Sequence, residues 1–216
     1  MNQSVEAVVL VSHGSHGVVE LADGVHRDCH FRRRVGRPCC GDHVIISSRD
    51  GESWVVSEIL ARRNVFMRAD RQGEGNVIAA NLDRVLVVVA PRPLPSRDLL
   101  DRYLVAVHSL GMEPLIVLNK VDLLGDSRGG GDRASREKEN APGWETLRRL
   151  PQYEALGYPV LRTSAKGAPG IEALRGEVAS GVSILVGQSG VGKSSLVRAL
   201  LPDLDIQTGE LSRATG

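Results

Sequence analysis

The rhythm of apolar and polar positions changes once along the chain. Up to about residue 75, apolar residues alternate with polar ones in short runs, 6–12, 17–21, 25–32, 43–47 and 53–60, divided by glycine-bearing turns at Asp23-Gly24, Cys40-Gly41-Asp42 and Asp50-Gly51. Five such strands in so short a span predict a small barrel over residues 1–75. From Asn81 onward the pattern becomes α/β alternation. The run 83–89 (DRVLVVV) is continuously apolar after its first two residues, as in a parallel strand buried on both faces. A helix follows over 96–110, then a strand 114–118, a helix 144–156, a strand 159–162, a helix 170–179, a strand 182–186 and a helix 193–201. The stretch 125–143 (GDSRGGGDRASREKENAPG) has almost no large apolar residue with which to bury a face, and reads as a mobile insertion. Residues 76–216 are therefore expected to form a second domain, and no solenoid-type repeat is visible.

Composition adds little to this division but removes some classes of protein. The 216 residues are 42% hydrophobic and 25% charged, the balance of a folded globular chain rather than a disordered or fibrous one. No apolar run is long enough to span a membrane and no secretory leader is readable at the start, so the cytoplasm is the expected compartment. Three cysteines, Cys29, Cys39 and Cys40, are too few and too close together for a disulfide framework. With His30 and His43 nearby they invite a metal site, but the spacing fits no common zinc pattern and adjacent strand residues point to opposite faces. No zinc site is expected within this chain.

The chemistry concentrates in three short motifs. Gly187-Gln188-Ser189-Gly190-Val191-Gly192-Lys193-Ser194 satisfies G-x-x-x-x-G-K-[ST] between a predicted strand and a predicted helix. Its backbone N–H groups can converge on an anion while the helix N-terminus adds partial positive charge. Lys193 would reach the β and γ phosphates, Ser194 would offer its hydroxyl to Mg²⁺, and Ser195 would contact the α phosphate. Asn119-Lys120-Val121-Asp122 follows the apolar strand 114–118. Guanine presents N1–H and an exocyclic amine, and one carboxylate can accept both, which singles out Asp122. Asn119 would tie the base edge to the loop framework, and the Lys120 stem would lie over the base plane. Thr163-Ser164-Ala165-Lys166 follows strand 159–162; Ala165 could give a backbone N–H to guanine O6, flanked by Ser164 and Lys166. All three motifs fall at carboxyl ends of predicted parallel strands, where open α/β sheets hold their ligands.

Taken together, these motifs resemble those of translation-factor-related GTPases, with one difference of order: the guanine motifs precede the phosphate loop. That rotation is similar to the circularly permuted GTPases. A leading small barrel and the phrase Thr208-Gly209-Glu210-Leu211-Ser212 resemble in particular the small-ribosomal-subunit-dependent members of that family. The resemblance implies an OB-fold barrel followed by a circularly permuted P-loop G domain. It also implies Mg²⁺ with GTP or GDP, hydrolysis stimulated by the small (30S) ribosomal subunit during its late maturation, and release coupled to hydrolysis. A monomer without membrane association is expected. It further implies a C-terminal zinc domain, which has no counterpart in these residues.

Against that pattern, no Asp-x-x-Gly follows the phosphate loop, no switch threonine can be assigned, and no catalytic water-positioning residue can be named. The chain reads as the front portion of a longer protein, expected to bind guanine nucleotide weakly and to hydrolyse GTP negligibly. Arg27, Arg32, Arg33, Arg34 and Arg37 fall within eleven residues opposed only by Asp28, and their guanidinium forks suit an rRNA backbone despite a net charge of only +1. With 3% aromatic residues, base stacking is expected to contribute little. A second class of function is compatible with the same residues: an OB-fold RNA-binding module whose nucleotide domain senses ligand without hydrolysing it.

Overall fold

A computed structural model describes residues 3–48, 53–69, 75–124, 142–167 and 170–202, arranged as two compact units, Met1–Asp83 and Arg84–Gly216. The Thr208–Ser212 phrase and nearly all of the 125–143 stretch lie outside the described residues.

The first unit is built from β1 (Gln3–His13), β2 (His16–Leu21), β3 (His26–Phe31), β4 (His43–Ser48) and β5 (Trp54–Ile59), closed into a barrel of order β1-β2-β3-β5-β4. All neighbours are antiparallel except β3 and β5. The period-2 pattern sends Ala7, Val9, Val19, Cys29, Phe31, Val44, Ile46, Trp54 and Val56 into a single core. Gly17 marks where that core admits no side chain: a Cβ there would lie 2.0 Å from the Val11 carbonyl oxygen and 2.6 Å from the Phe31 ring.

Two further strands, β6 (Val65–Ala69) and β7 (Gly75–Ala80), form an antiparallel hairpin in the same unit, an element the sequence pattern does not announce. The division between units falls at Asp83, so β7 belongs with the barrel rather than opening the second domain. Buried polar groups make the attachment. Asn81, 2% exposed and at φ 55°, accepts from Arg63 N at 2.8 Å and donates to the Gly41 carbonyl at 2.9 Å. Ala80 N donates to Cys40 O at 2.9 Å. Beneath these contacts Asp42, fully buried, accepts from Arg62 Nε at 2.7 Å, Arg62 Nη2 at 2.8 Å and Cys39 N at 2.8 Å. Removing one partner of a buried pair strands the other and costs far more than the pair contributes net. Asp42→Ala is therefore expected to lower the stability of this unit by about 3 kcal/mol, read as a lower urea midpoint, and Arg62→Met by at least as much, because it leaves the fully buried Asp42 carboxylate without its cation.

The second unit is a parallel sheet of order β10-β9-β8-β11, with β8 Arg84–Val89, β9 Pro114–Leu118, β10 Val160–Arg162 and β11 Ser183–Val186. Every residue of β9 and all of β8 after Arg84 are buried, as their unbroken apolar runs require. Helix α1 (Leu99–Ser109) packs on β8 and β9. Ile171 and Leu174 from α4 (Ile171–Glu177), and Leu196 and Leu200 from α5 (Lys193–Leu200), close a core over Leu86, Val88, Leu115 and Val117. The helix expected over 144–156 is two helices, α2 (Pro142–Arg148) and α3 (Leu150–Ala155). Pro151 sits in the first turn of the second; lacking an N–H, it cannot continue the helical ladder. Strand β11 is the outer strand among the described residues, with Ile184 and Leu185 only partly buried.

Candidate functional site

The three motifs meet at one edge of the parallel sheet. In β11 paired to β8, β8 to β9 and β9 to β10, the carboxyl ends align, so the loops after β9, β10 and β11 emerge together. The phosphate loop takes its shape from glycines at positive φ. Gly187 (φ 141°) crosses so close to β8 that a Cβ would lie 2.3 Å from the Val88 carbonyl oxygen, and Gly192 (φ 98°) caps α5 with room for no Cβ within 2.4 Å of Asn119 Nδ2. Lys193 folds over the loop and donates to the carbonyls of Gly187 at 2.8 Å and Gln188 at 3.0 Å. Its partial burial lowers the ammonium pKa from the usual lysine value, because desolvation disfavours the charged form. A polyanion arriving at the loop reverses that penalty. Ser194 and Ser195 are exposed in the first turn of α5.

The guanine motif and the phosphate motif are tied together by two side chains. Asn119, fully buried, donates from Nδ2 to the Val191 carbonyl at 2.9 Å and accepts on Oδ1 from Thr163 Oγ1 at 3.2 Å. One amide thus joins the loops after β9, β10 and β11. Lys120 reaches in the same direction, its Nζ donating to Gly190 O at 2.6 Å and Arg92 O at 2.8 Å. Its backbone sits at φ 60°, a conformation costing a non-glycine residue about 1–2 kcal/mol, which those two bonds help to hold. Asp122, exposed in the 3₁₀ turn Val121–Leu124, accepts on Oδ1 from Ser164 Oγ at 2.7 Å. Ser164 is 3% exposed, so a buried hydroxyl orients an exposed carboxylate. Ala165 and Lys166 lie in the turn that follows, Ala165 half-buried and Lys166 exposed, with Lys166 N donating to Ser164 Oγ at 3.4 Å.

Two contributors have no role assigned to them from the sequence. Thr163 is fully buried and supplies the third leg of the Asn119 junction; the only signal for it is its place one residue before Ser-Ala-Lys. The loop after β8 gives the Arg92 carbonyl to Lys120, and Pro93 lies 3.3 Å from where a Gly190 Cβ would be. A backbone acceptor leaves no mark in a side-chain pattern.

In the first unit, Arg27, Arg32, Arg33, Arg34 and Arg37 are all exposed, on β3 and around the 3₁₀ turn Arg33–Val35. Phe31 and Trp54 are 7% and 6% exposed, packed in the barrel core. Cys29 and Cys39 are buried, and burial pushes their thiols up to about 11 and about 12. Among the described residues no group of three metal-ligating side chains comes together. Because those thiols have folded pKa values above the ordinary 9.0, the unfolded chain releases their protons first, so stability is unaffected below about pH 9 and falls as pH rises toward 12. At pH 8 these two thiols should react with a disulfide reagent only as fast as the protein unfolds, whereas three equivalents titrate at once in denaturant.

A five-stranded barrel of this order, followed by a parallel sheet whose Asn-Lys-x-Asp loop precedes its G-x-x-x-x-G-K-S loop along the chain, defines a barrel-led, circularly permuted GTPase fold. The RsgA GTPase family model matches residues 59–216, and the chain belongs to that family. It is 41% identical over 208 residues to the small ribosomal subunit biogenesis GTPase RsgA of Pseudomonas aeruginosa (strain LESB58), covering 96% of this chain and 57% of that protein. It is 38% identical to RsgA 1 of Vibrio vulnificus (strain YJ016), covering 100% of this chain and 59% of the relative. The chain thus spans just over half the length of these curated relatives. Among solved structures, YjeQ from Thermotoga maritima superposes with a TM-score of 0.70 at 29% identity, over 95% of this chain and 68% of that one. YloQ, described as a circularly permuted GTPase, gives a TM-score of 0.66 at 25% identity, over 93% and 65%. No described helix is long and apolar enough to cross a membrane.

Proposed function

We propose that the chain supplies the guanine-nucleotide site of a GTP hydrolase acting in maturation of the small ribosomal subunit, with hydrolysis stimulated by the subunit and coupled to release, and that these 216 residues by themselves, having no Asp-x-x-Gly after the phosphate loop, hydrolyse GTP negligibly. The observation carrying the nucleotide reading is the Asn119 junction: one buried amide, bonded to Val191 O and to Thr163 Oγ1, ties together the loops after β9, β10 and β11, as a single nucleotide site would require. Gly187, Gln188, Ser189, Gly190, Val191, Gly192 and Lys193 would surround the phosphates, with Ser194 and Ser195 at the helix start. Asp122 would accept from guanine N1–H and the exocyclic amine, with Ala165 N–H toward O6 and Lys166 alongside. Mg²⁺ suits this donor set, because it takes one or two protein oxygens and completes its shell with phosphate oxygens and water; the exposed Ser194 hydroxyl would hold it. When bound, the ion neutralises charge developing between the β and γ phosphates. The exposed arginines Arg27, Arg32 and Arg34 would contact rRNA phosphates, while Arg33 and Arg37 line a separate groove.

Competition with a fluorescent guanine nucleotide tests this directly. GTP and GDP should displace it at least a hundredfold better than ATP, and binding of the chain to small subunits should differ between GDP and a non-hydrolysable GTP analogue. Equal displacement by ATP would refute the base assignment, and subunit binding indifferent to nucleotide would refute the coupling.

A further inference from the structure

The first unit holds a groove of about 1500 Å³ between the barrel end and the β6–β7 hairpin, larger than the usual small-molecule pocket. Its barrel side carries Arg33, Val35 and Arg37, and its hairpin side carries Asn76, Val77 and Ile78. Arg62 also lines it, but its charge is committed to Asp42 at 2.7 Å and 2.8 Å. Among the described residues no aspartate or glutamate lines the groove, and Arg33 and Arg37, both exposed, make its described lining cationic. The hairpin wall is apolar and is presented outward by a bulge: β7 has one residue more than β6 between the pairs Phe66–Ala79 and Met67–Val77, so Ile78 has no partner across the ladder and is 41% exposed. Beyond the single Cys40–Ala79 bridge, the other edge of β7 is unpaired among the described residues.

We propose that this groove is a peptide-binding site, taking an extended segment of a partner protein in which apolar residues alternate with one or two carboxylates. The charge selects an acidic occupant, and Arg guanidinium forks match carboxylates bidentately. The apolar wall and the unpaired strand edge select a peptide over RNA. A single strand of RNA tracked through the groove would need a cation for most of its phosphates and an exposed ring for its bases; the described residues of the groove carry two uncommitted cations, and their ring, Phe31, is 7% exposed. An extended peptide can take main-chain hydrogen bonds along β7 and set alternate side chains against Val35, Val77 and Ile78. Arg27, Arg32 and Arg34 do not line the groove, so the five-arginine cluster divides between two surfaces. The inference is independent of the nucleotide site.

The test uses the 216-residue chain and a library of ten-residue peptides alternating Asp or Glu with Val, Ile, Leu or Phe, beside a matched library with Lys in place of the acids and the oligonucleotide U12. Acidic peptides should be retained at least tenfold over the basic library. The best of them should shift the backbone NMR signals of Val35, Arg37 and Asn76 to Ile78. Its affinity should fall at least tenfold in the Arg33→Glu/Arg37→Glu variant and in Ile78→Asp, and stay unchanged in Arg27→Glu. All four positions are exposed, and an unchanged NMR spectrum outside the groove confirms that each variant is folded. No enrichment of acidic over basic peptides, shifts confined to other residues, or U12 producing the same shifts and displacing the peptide would each overturn the proposal.

Discussion

Replacing Asp122 by asparagine is expected to lower GTP and GDP affinity about a hundredfold while raising affinity for xanthine nucleotides, measured by direct titration of all four. Hydrogen bonds to a charged group contribute about 1.5–3 kcal/mol each, and the amide loses one such acceptor while turning a donor toward the base's own donors. Xanthine carries an oxygen where guanine carries the amine, so the same amide donor then finds a partner. The geometry makes the variant a clean test. Ser164 Oγ donates to Asp122 Oδ1 at 2.7 Å, and an asparagine Oδ1 can accept the same bond, so the loop keeps its shape. Melting temperature should therefore barely change. Unaltered GTP affinity would remove Asp122 from the base site.

Gly192→Ala should weaken every nucleotide alike, by about a hundredfold, and destabilise the second unit as well. The added methyl would lie 2.4 Å from Asn119 Nδ2, and φ 98° is itself unfavourable for alanine, by about 1–2 kcal/mol. Asn119 can relieve the clash only by leaving the Val191 carbonyl, which strands a buried amide at a further cost of about 1–3 kcal/mol. The phosphate loop and the base loop lose their common anchor together. That uniform loss separates it from Asp122→Asn, which discriminates between bases. Calorimetric titration with GDP and with XDP distinguishes the two patterns, and full affinity for GDP in Gly192→Ala would show that the Asn119 junction is not needed for binding.

Much of this was legible before any coordinates. Strand 114–118 is recovered to the residue, because five consecutive apolar positions between Glu113 and Asn119 admit no other boundary. The phosphate loop is equally plain, since its glycines answer to steric demands that other residues cannot meet. The hairpin was not legible. Val65–Ala69 and Gly75–Ala80 show no alternation, because one is bulged against the other and they are held by polar contacts from Arg63, Asn64, Asn81 and Gly41 rather than by an apolar face. The Asp42–Arg62 pair was hidden for a related reason: Asp42 stands in what reads as an ordinary Gly-Asp turn, and nothing local says that the carboxylate is wholly buried. Pro151 did announce the break between α2 and α3, but the helical spacing of Trp144, Leu147 and Leu150 runs straight through it.

The Asn119–Val191 bond joins residues 72 positions apart, with the base loop first. During synthesis at about 5–20 residues per second, the guanine loop would be complete some 4–14 s before the phosphate loop exists. In that interval β8, β9 and β10 can already pair, leaving a slot at the free side of β8 for β11. Ser164–Lys166 would follow only about 1–5 s before the phosphate loop, so under the proposed function the nascent chain would hold both base loops with nothing yet to hold a phosphate, and nucleotide binding would begin only when β11 docks. Under the proposed function the rotated order would make nucleotide binding a report that β11 has joined β8.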